Sequence, residues 1–435
     1  MKILIKNGRV VDPGTGLDET LDILVVDGRV ADLKSALDIV VDRTIDASRL
    51  VVAPGFIDLH VHLREPGYEA KETIASGGRA AARGGFTSVC CMPNTKPVND
   101  RRAVTESILA EARRSSPVNV FPIASITKGQ RGKEVTDMSG LTAAGAVAFS
   151  DDGRPVMNSL VMRRALEQAK TISALIIDHA EDLNLTARGI MHEGEASRRF
   201  GIPGIPAAAE EIMVARDICL AEMLGTRIHI AHLSVRGAAR AVTAARARGV
   251  RVTCEVTPHH LILTDARLQI PDPAYKMNPP LRSQEDVDAL LAAVKGGAVD
   301  VIATDHAPHT REEKDQGLEK APFGIVGLET AVSLLLDRLV HRSVIPLARF
   351  IELVSVNPAR LLGLKNKGRI AVGADADLTV LNLHKEITID KAEFVSLGRN
   401  TPFHGWRLKG VPVMTIVGGK VVYPFPDSPA GSAKT

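Results

Sequence analysis

Hydrophobic and polar residues alternate differently at the ends of the chain and in its middle. At the ends, short runs rich in β-branched residues flank turn dipeptides: Asn-Gly at 7–8, Asp-Gly at 27–28 and Gly-Gly at 418–419. Two-residue turns of this kind join neighbouring antiparallel strands. We therefore predict β-hairpins in residues 1–53 and further strands between 375 and 423.

In the middle of the chain, short apolar runs alternate with alanine-rich stretches that are typical of helices. The runs are GFIDLHVH, SVCCMP, VNVFPIAS, AVAFSDD, ALIIDHAED, RIHIAHLS, RVTCEVTPHH and VDVIATDHAP. About eight β-runs separated by helices predict an α/β protein with a TIM-type (β/α)8 barrel. The two ends are expected to pair into one small composite β-sandwich, with the barrel inserted between them. The predicted domains are residues 1–53 and 366–435 for the sandwich and 54–365 for the barrel.

Composition excludes several classes of partner. The 54 basic and 51 acidic residues nearly balance, so neither nucleic acid nor an anionic membrane is indicated. No apolar stretch is long enough to span a bilayer, and the N-terminus lacks the apolar segment of a signal peptide. The four cysteines have no CxxC spacing, which indicates neither a disulfide framework nor a zinc knuckle. We expect a reduced, cytoplasmic compartment.

Metal-ligand side chains end several of the β-runs. His60 and His62 lie two residues apart, which places both rings on one face of a strand, at its C-terminal end. Four further side chains end other runs: Asp152, His179, His232 and Asp305. A lone pair of histidines could be two unrelated polar residues, but the strand ends of a barrel converge on one rim. The six together predict a site for Zn²⁺, with Mn²⁺, Co²⁺ or Fe²⁺ as alternatives.

Three segments resemble a known enzyme family. DLHVHLREP (58–66) and ATDHAPHTREEK (303–314) resemble the two signature segments of dihydroorotases, and CMPNTKPV (91–98) resembles a third. The resemblance covers essentially the whole chain and is nearest the bacterial branch with Asp at the end of the fourth barrel strand. The HxH pattern alone marks only the wider amidohydrolase superfamily, whereas TDHAPH together with MPNT is more specific.

The resemblance implies a ligand set. His60, His62 and Asp305 would hold one metal ion, His179 and His232 a second, and Asp152 would lie between them. Asp151 competes with Asp152 because both precede Gly153, and the family pattern favours Asp152. Either one or two zinc ions remain compatible with the sequence.

The implied reaction is the reversible hydrolysis of L-dihydroorotate to N-carbamoyl-L-aspartate, a step of pyrimidine biosynthesis. A bound metal lowers the pKa of its water toward about 7, and a nearby carboxylate must carry the proton to the leaving nitrogen. Asp305 fits that role, although it could be a ligand only.

Candidate substrate contacts follow from the carboxylates of the substrate. Arg64, two residues after His62, can bind a carboxylate with two hydrogen bonds, or it can be a solvated surface residue. Asn94 can donate to the same anion or simply form its turn, and His309 can supply another donor. The resemblance alone implies three more contacts: Asn278, Phe323 and Gly324. Of the other histidines, His229 is interpreted as structural.

Two rival interpretations remain at this stage. One is another cyclic amidohydrolase, such as an allantoinase or a hydantoinase. The other is a non-catalytic, dihydroorotase-like subunit that scaffolds a partner enzyme, although such a subunit should have lost metal ligands. We also expect a homo-oligomer, and the resemblance implies aspartate carbamoyltransferase as a candidate partner.

Overall fold

The computed structural model describes residues 1–424. Its strands are β1 (Lys2–Asp12), β2 (Leu17–Val26), β3 (Arg29–Lys34), β4 (Arg43–Asp46), β5 (Val51–Pro54), β6 (Phe56–Val61), β7 (Phe86–Cys91), β8 (Asn119–Ala124), β9 (Ala148–Phe149), β10 (Ile177–Asp178), β11 (Met191–His192), β12 (Gly204–Ile205), β13 (Ile228–Ile230), β14 (Val252–Val256), β15 (Val301–Ile302), β16 (Leu378–Thr388), β17 (Arg407–Val417) and β18 (Lys420–Tyr423).

The α-helices lie mainly between the strands of the middle segment. They are α1 (Ile74–Arg83), α2 (Arg102–Ser115), α3 (Met138–Ala144), α4 (Ser159–Thr171), α5 (Leu183–Thr186), α6 (Glu195–Phe200), α7 (Ala208–Leu224), α8 (Arg236–Ala247), α9 (Pro258–Ile262), α10 (Gln284–Lys295), α11 (Arg311–Lys314), α12 (Ala331–Leu335), α13 (Leu347–Ile351) and α14 (Asn357–Leu362). Within the described part of the chain, no helix is long and apolar enough to cross a membrane.

Strands from both ends of the chain form one mixed sheet, in the order β18-β17-β16-β5-β1-β2-β3, with β4 beside β1. The two ends meet where β16 runs antiparallel to β5 and Val380 faces Val52. The apolar side chains of these strands pack into a core of their own, which includes Ile5, Val10 and Ile416. The prediction that the two ends pair into one β-rich unit is therefore confirmed.

The middle segment forms the predicted barrel. Two four-stranded parallel sheets, β6-β7-β8-β9 and β10-β13-β14-β15, supply eight strands. Single parallel bridges join them at both seams, Phe149 with Ile176 and Val61 with His306, so that the strands close into a ring. The strands β6 and β7 are buried along their whole length, because helices cover the outside and side chains fill the inside.

The change from sheet to barrel is abrupt on the N-terminal side, because β5 ends at Pro54 and β6 begins at Phe56. On the C-terminal side, α14 ends at Leu362 and β16 begins at Leu378. The predicted domain boundaries at residues 53 and 365 stay predictions, and residues 425–435 of the predicted C-terminal part lie outside the described residues.

Candidate metal centre and active site

The six predicted metal ligands all lie at the C-terminal rim of the barrel. Each follows or ends a different strand except for the pair at β6, and every one of them is at most 6% exposed. They are His60 (on β6), His62 (directly after β6), Asp152 (after β9), His179 (after β10), His232 (after β13) and Asp305 (after β15). The period of two in β6 and the convergence of parallel strand ends bring these side chains together.

The ligand atoms form two groups that share His60. In one group, His60, His62 and Asp305 offer atoms within 4.8 Å of one another, and in the other His60 does so with Asp152 and His232. His179 adjoins the second group, since its Nδ1 lies 2.9 Å from His232 Nε2 and 3.4 Å from Asp152 Oδ1. The structure therefore brings all six predicted residues into one cluster.

This cluster fits a divalent metal ion. His60 Nε2 and Asp152 Oδ1 are buried and have no hydrogen-bond partner in the described part of the chain, although they lie only 3.3 Å apart. Buried polar atoms without partners are costly, and a cation between them would satisfy both. The donors are imidazole nitrogens and carboxylate oxygens, the set that zinc and its neighbours in the transition series prefer.

The charges of the protein itself favour a cation at this rim. Burial lowers the pKa of His179, but Asp152 and Glu181 outweigh it and raise that pKa to about 10. Burial also works against the charged form of Asp305, yet the field of His60 and His62 holds its pKa below the ordinary value. The carboxylates therefore stay ionised, and a positive charge must neutralise them.

The two neighbouring aspartates after β9 differ in their surroundings. Asp151 accepts hydrogen bonds from Thr127, through the backbone N–H at 3.0 Å and through the hydroxyl group. Burial raises the pKa of Asp151 to about 7. Asp152, by contrast, lies 3.3–3.4 Å from nitrogens of His60, His62 and His179. Asp152 is therefore the residue that the structure brings to the histidines.

Three non-glycine residues of the site have strained backbones. Arg64, His232 and Asp305 have φ angles of 61°, 29° and 50°. Residues with a Cβ atom rarely adopt this left-handed region, and such strain persists where the surrounding structure imposes it. Asp305 is held on both sides by the ladder bonds of β15 and the bridge of His306 to Val61. The strain thus coincides with three of the predicted site residues.

A cavity of about 180 Å³ opens beside the cluster. Five of the six predicted metal ligands line it: His62, Asp152, His179, His232 and Asp305. All six predicted substrate contacts also line it: Arg64, Asn94, Asn278, His309, Phe323 and Gly324. A cavity of this size can hold a small ring.

Arg64 is the cationic side chain of this cavity. Its Nε donates to Pro308 O at 3.2 Å, and its Nη2 lies 3.3 Å from His309 Nε2. Burial and the charge of Arg64 lower the pKa of His309 to about 2, so the imidazole is neutral and carries one hydrogen. The 2.8 Å contact with Phe323 O places that hydrogen on Nε2. The terminal nitrogens of Arg64 thus remain available for an anion.

Two asparagines each form one side-chain hydrogen bond within the site, which leaves the other polar atom of the amide group free. Asn94 Oδ1 lies 2.9 Å from His62 Nδ1 and accepts its hydrogen, which leaves the Asn94 NH₂ group for the cavity. Asn278 Nδ2 donates to Glu181 Oε2 at 2.9 Å, which leaves the Asn278 carbonyl oxygen. The backbone N–H of Gly324 is already used, because it donates to Lys276 O.

Sequence reasoning missed two carboxylates that contact the histidines. Glu181 Oε2 lies 3.0 Å from His179 Nε2 and Glu255 Oε1 lies 2.7 Å from His60 Nδ1. The signal for Glu181 was its position two residues after His179, which places it on the same side of the extended chain. The signal for Glu255 was a charged residue inside the otherwise uncharged run VTCEV of β14.

Comparisons with known proteins agree on one superfamily. The Dihydro-orotase-like family matches residues 48–238, and the Amidohydrolase family matches residues 221–423. The chain is similar to the dihydroorotase of Pelotomaculum thermopropionicum, with 54% identity over 97% of this chain and 98% of the relative. It is also similar to the dihydroorotase of Geobacter metallireducens, with 51% identity over 97% and 100%.

Solved structures with a similar fold carry other names. The L-hydantoinase (dihydropyrimidinase) of Arthrobacter aurescens superposes with a TM-score of 0.88 at 27% identity, over 97% of this chain and 95% of the other. The dihydropyrimidinase of Brevibacillus agri gives a TM-score of 0.86 at 25% identity, over 97% and 95%. These structures share the barrel and the β-rich part built around it.

Proposed function

The chain belongs to the dihydroorotase family of amidohydrolases, and from this premise we propose that its rim cavity opens and closes the ring of dihydroorotate. Ring opening converts L-dihydroorotate to N-carbamoyl-L-aspartate, and ring closure is the reverse, a step of de novo pyrimidine biosynthesis. One observation carries the proposal. Arg64, which has no carboxylate partner among the ion pairs of the described residues, lines the same small cavity as five of the six residues of the metal-ligand cluster.

The proposed ligands divide between two positions. His60, His62 and Asp305 would hold one ion, His179 and His232 would hold a second, and Asp152 would lie between both. The contacts of Asp152 with both halves of the cluster support this arrangement. We assign zinc, as one or two ions per chain, because the donor set matches it. When bound, the metal supplies Lewis acidity toward a carbonyl oxygen and acidifies water toward neutral pH.

Asp305 is the proposed proton carrier. Its Oδ1 lies 3.2 Å from His62 Nε2, and its lowered pKa keeps it ionised at neutral pH. An ionised carboxylate at the cavity wall can accept a proton from the attacking water and return it to the leaving ring nitrogen. Ring closure uses the same carboxylate in the opposite order, because the two directions share one transition state.

Arg64 and Asn94 are the proposed carboxylate-binding pair. The free guanidinium nitrogens of Arg64 and the NH₂ group of Asn94 both face a cavity whose volume suits a six-membered ring. A guanidinium group can hold a carboxylate with two parallel hydrogen bonds. Asn278 and His309 complete the wall, together with the backbone of Phe323 and Gly324. The carboxylate would therefore be held on the side of the ring away from the metal cluster.

The proposal is tested with a substrate panel on protein whose metal content has been measured. Dihydroorotate, dihydrouracil, hydantoin and allantoin are compared by kcat/KM. We expect dihydroorotate to be strongly preferred, because dihydrouracil lacks the carboxylate that Arg64 would bind. Comparable kcat/KM for dihydroorotate and dihydrouracil would overturn the assignment and favour a hydantoinase-like activity. Metal-loaded protein inactive on all four compounds would favour a scaffold.

The variant Arg64→Met tests the carboxylate contact directly. Hydrogen bonds to charged groups contribute about 1.5–3 kcal/mol, so kcat/KM for dihydroorotate should fall by about 10–150-fold. Activity on dihydrouracil should change little, since that substrate has no carboxylate to lose. The same fall for both substrates would show that Arg64 supports the cavity rather than the anion.

We further propose a cytoplasmic homo-oligomer that can associate with aspartate carbamoyltransferase. The four cysteines support a reducing compartment, because all are free and three of them, Cys90, Cys91 and Cys254, are buried. Aspartate carbamoyltransferase would supply N-carbamoyl-L-aspartate, the substrate for ring closure. Analytical ultracentrifugation, with and without that enzyme, measures both associations.

A further inference from the structure

Glu255 is a wholly buried carboxylate that lies behind the metal cluster. Its Oε1 is 2.7 Å from His60 Nδ1, and its Oε2 is 3.3 Å from His229 Nε2. All three side chains are 0% exposed. The ion pairs of Glu255 within residues 1–424 are with these two imidazoles, and no lysine or arginine takes part. A buried carboxylate held only by histidines needs an explanation beyond packing.

The contact with Glu255 fixes the tautomer of His60. An ionised carboxylate can only accept hydrogen bonds, so His60 Nδ1 must carry the hydrogen. The lone pair is then on Nε2, the atom that lies 3.3 Å from Asp152 Oδ1 and 3.5 Å from Asp305 Oδ1. Nε2 is also the buried atom without a hydrogen-bond partner. Glu255 therefore turns the ligand atom of His60 toward the cluster.

His229 and Thr253 hold Glu255 in turn. The Nε2–H of His229 faces Glu255 Oε2, and its Nδ1 is 2.8 Å from the hydroxyl group of Thr253. Thr253 precedes Glu255 by two residues on β14, so both side chains project from one face of the strand. The chain of contacts runs from Thr253 through His229 and Glu255 to His60. It locks both oxygens of the carboxylate.

We propose that Glu255 is a positioning residue that orients His60 for metal binding, and that His229 supports it by holding the second carboxylate oxygen. The inference deepens the metal-dependent function proposed above. In metal sites, a carboxylate behind a histidine ligand fixes the ring and raises its basicity, and its loss typically weakens metal affinity by about 10–100-fold. His229, interpreted from sequence as structural, thereby acquires a role in the centre.

The test measures zinc affinity by competition with a chelator, on folded full-length protein. Glu255→Gln keeps the shape of the side chain but removes its charge, and we expect zinc affinity to fall by about 10–100-fold. His60→Ala provides the reference for loss of the ligand itself. Glu329→Gln is the matched control, because Glu329 is a buried carboxylate whose partners within the described residues, Val395 N, Ser396 N and Arg83, include no residue of the metal cluster.

Variants of His229 separate positioning from general stability. His229→Asn removes the donor to Glu255 and should weaken zinc binding, whereas His229→Gln places an amide N–H near the same point and should largely restore it. Because His229 acts through Glu255, adding His229→Asn to Glu255→Gln should weaken affinity little further. If Glu255→Gln does not fold, the single variants His229→Asn and His229→Gln still test the proposal.

Two outcomes would overturn the inference. One is folded Glu255→Gln with the zinc affinity of the wild type, and the other is a loss in Glu329→Gln as large as that in Glu255→Gln. Failure of the proposed function gives a different result. Protein that binds zinc tightly but hydrolyses none of the substrate panel would contradict the function, whereas the affinity of Glu255→Gln would still decide the role of Glu255.

Discussion

Single hydrogen bonds decide which atom of each histidine faces the metal cluster. Asn94 takes the hydrogen of His62 Nδ1, and Glu181 takes that of His179 Nε2. The other ring nitrogens, His62 Nε2 and His179 Nδ1, lie 3.4 Å from Asp152. The two histidines therefore present different ring nitrogens to the metal cluster. In each ring, the hydrogen-bond partner of the other nitrogen determines which one faces the cluster. Asp305 is proposed both to hold a metal ion and to carry a proton.

Replacing Asp305 with asparagine separates these two roles. Asp305→Asn should fold and keep at least part of its metal, because the histidines remain. Its kcat should fall by at least about 10²–10⁴-fold in both directions, since an amide cannot accept and return a proton at neutral pH. The measurement is steady-state kinetics with metal analysis on the same sample. A near-wild-type kcat with metal in place would make Asp305 a ligand only.

The His192 side chain should make the fold sensitive to acid. Burial, followed by the positive charge of Arg282, lowers the pKa of His192 to about 4, and Arg282 Nη1 lies 3.3 Å from its Nδ1. The unfolded chain, with an ordinary value near 6.5, binds more protons between about pH 4 and 6.5. Stability is therefore lost as the pH falls through that window.

The variant His192→Gln should lose part of this sensitivity. Between pH 6.5 and 4, its free energy of unfolding should decrease less steeply than that of the wild type. The difference between the two slopes corresponds to at most one proton taken up on unfolding. Denaturant titrations at several pH values give the two slopes. As a control, His384→Gln at an exposed position should follow the wild type. Identical slopes for His192→Gln and the wild type would refute the assignment.

At the scale of elements, the loop from His309 to Gly324 closes one side of the cavity. Two buried lysines hold it. Lys276 Nζ donates to the carbonyl groups of Leu318 and Glu319, and Lys314 Nζ donates to those of Pro322 and Gly324. Backbone carbonyl groups in an irregular loop need such partners when they are buried. The position of the loop therefore depends on two buried lysine side chains.

Removing one of these lysine side chains should loosen the loop. In Lys314→Met, the carbonyl groups of Pro322 and Gly324 lose their donor, and a buried acceptor left without a hydrogen bond costs about 1–3 kcal/mol. We expect KM for dihydroorotate to rise by about tenfold, and amide exchange in the loop to become faster. Lys320→Met, at an exposed position of the same loop, should change neither. Unchanged KM and unchanged exchange in Lys314→Met would contradict this role.

At the scale of the whole molecule, the mixed sheet and the barrel are joined by buried polar contacts. Asp377, directly before β16, accepts hydrogen bonds from Asn119 on β8, from Lys367 and from the backbone of Gly418. Thr379 on β16 donates to Gly85 O in the barrel segment. The two ends of the chain are thereby tied to the barrel that lies between them in sequence. The metal ion proposed at the rim would stabilise the same assembly, because it would neutralise buried carboxylates.

Removal of metal should therefore lower the thermal stability of the protein. A ligand that binds only the folded state at 1,000 times its Kd stabilises it by about 4.1 kcal/mol. We expect chelation to lower the Tm by several degrees and added zinc to restore it. The double variant His60→Ala, His62→Ala should lose most of the metal and the activity, and its Tm should not respond to zinc. Full activity in protein shown by elemental analysis to be metal-free would contradict the metal assignment.

The sequence by itself determined the barrel, the pairing of the two ends and the residues at the strand ends. Apolar runs such as SVCCM leave no polar face for solvent, and the alternation of such runs with helices admits few topologies. Once the barrel is known, the position of His60 or Asp305 at a strand end places it on the rim. The strands, the helices and the residues at the strand ends can be predicted locally, because they follow from the periodicity of the sequence along the chain.

The tertiary structure decided which atoms meet. Sequence alone left Asp151 and Asp152 as alternatives, and the structure separates them because Thr127, distant in sequence, binds Asp151. Glu255 and His60 are separated by 195 residues, and no pattern along the chain indicates that they touch. The ligand atom of a histidine is set by its hydrogen-bond partner, and that partner comes from another strand. Contacts between strands depend on how the barrel closes, which the periodicity of any one segment does not specify.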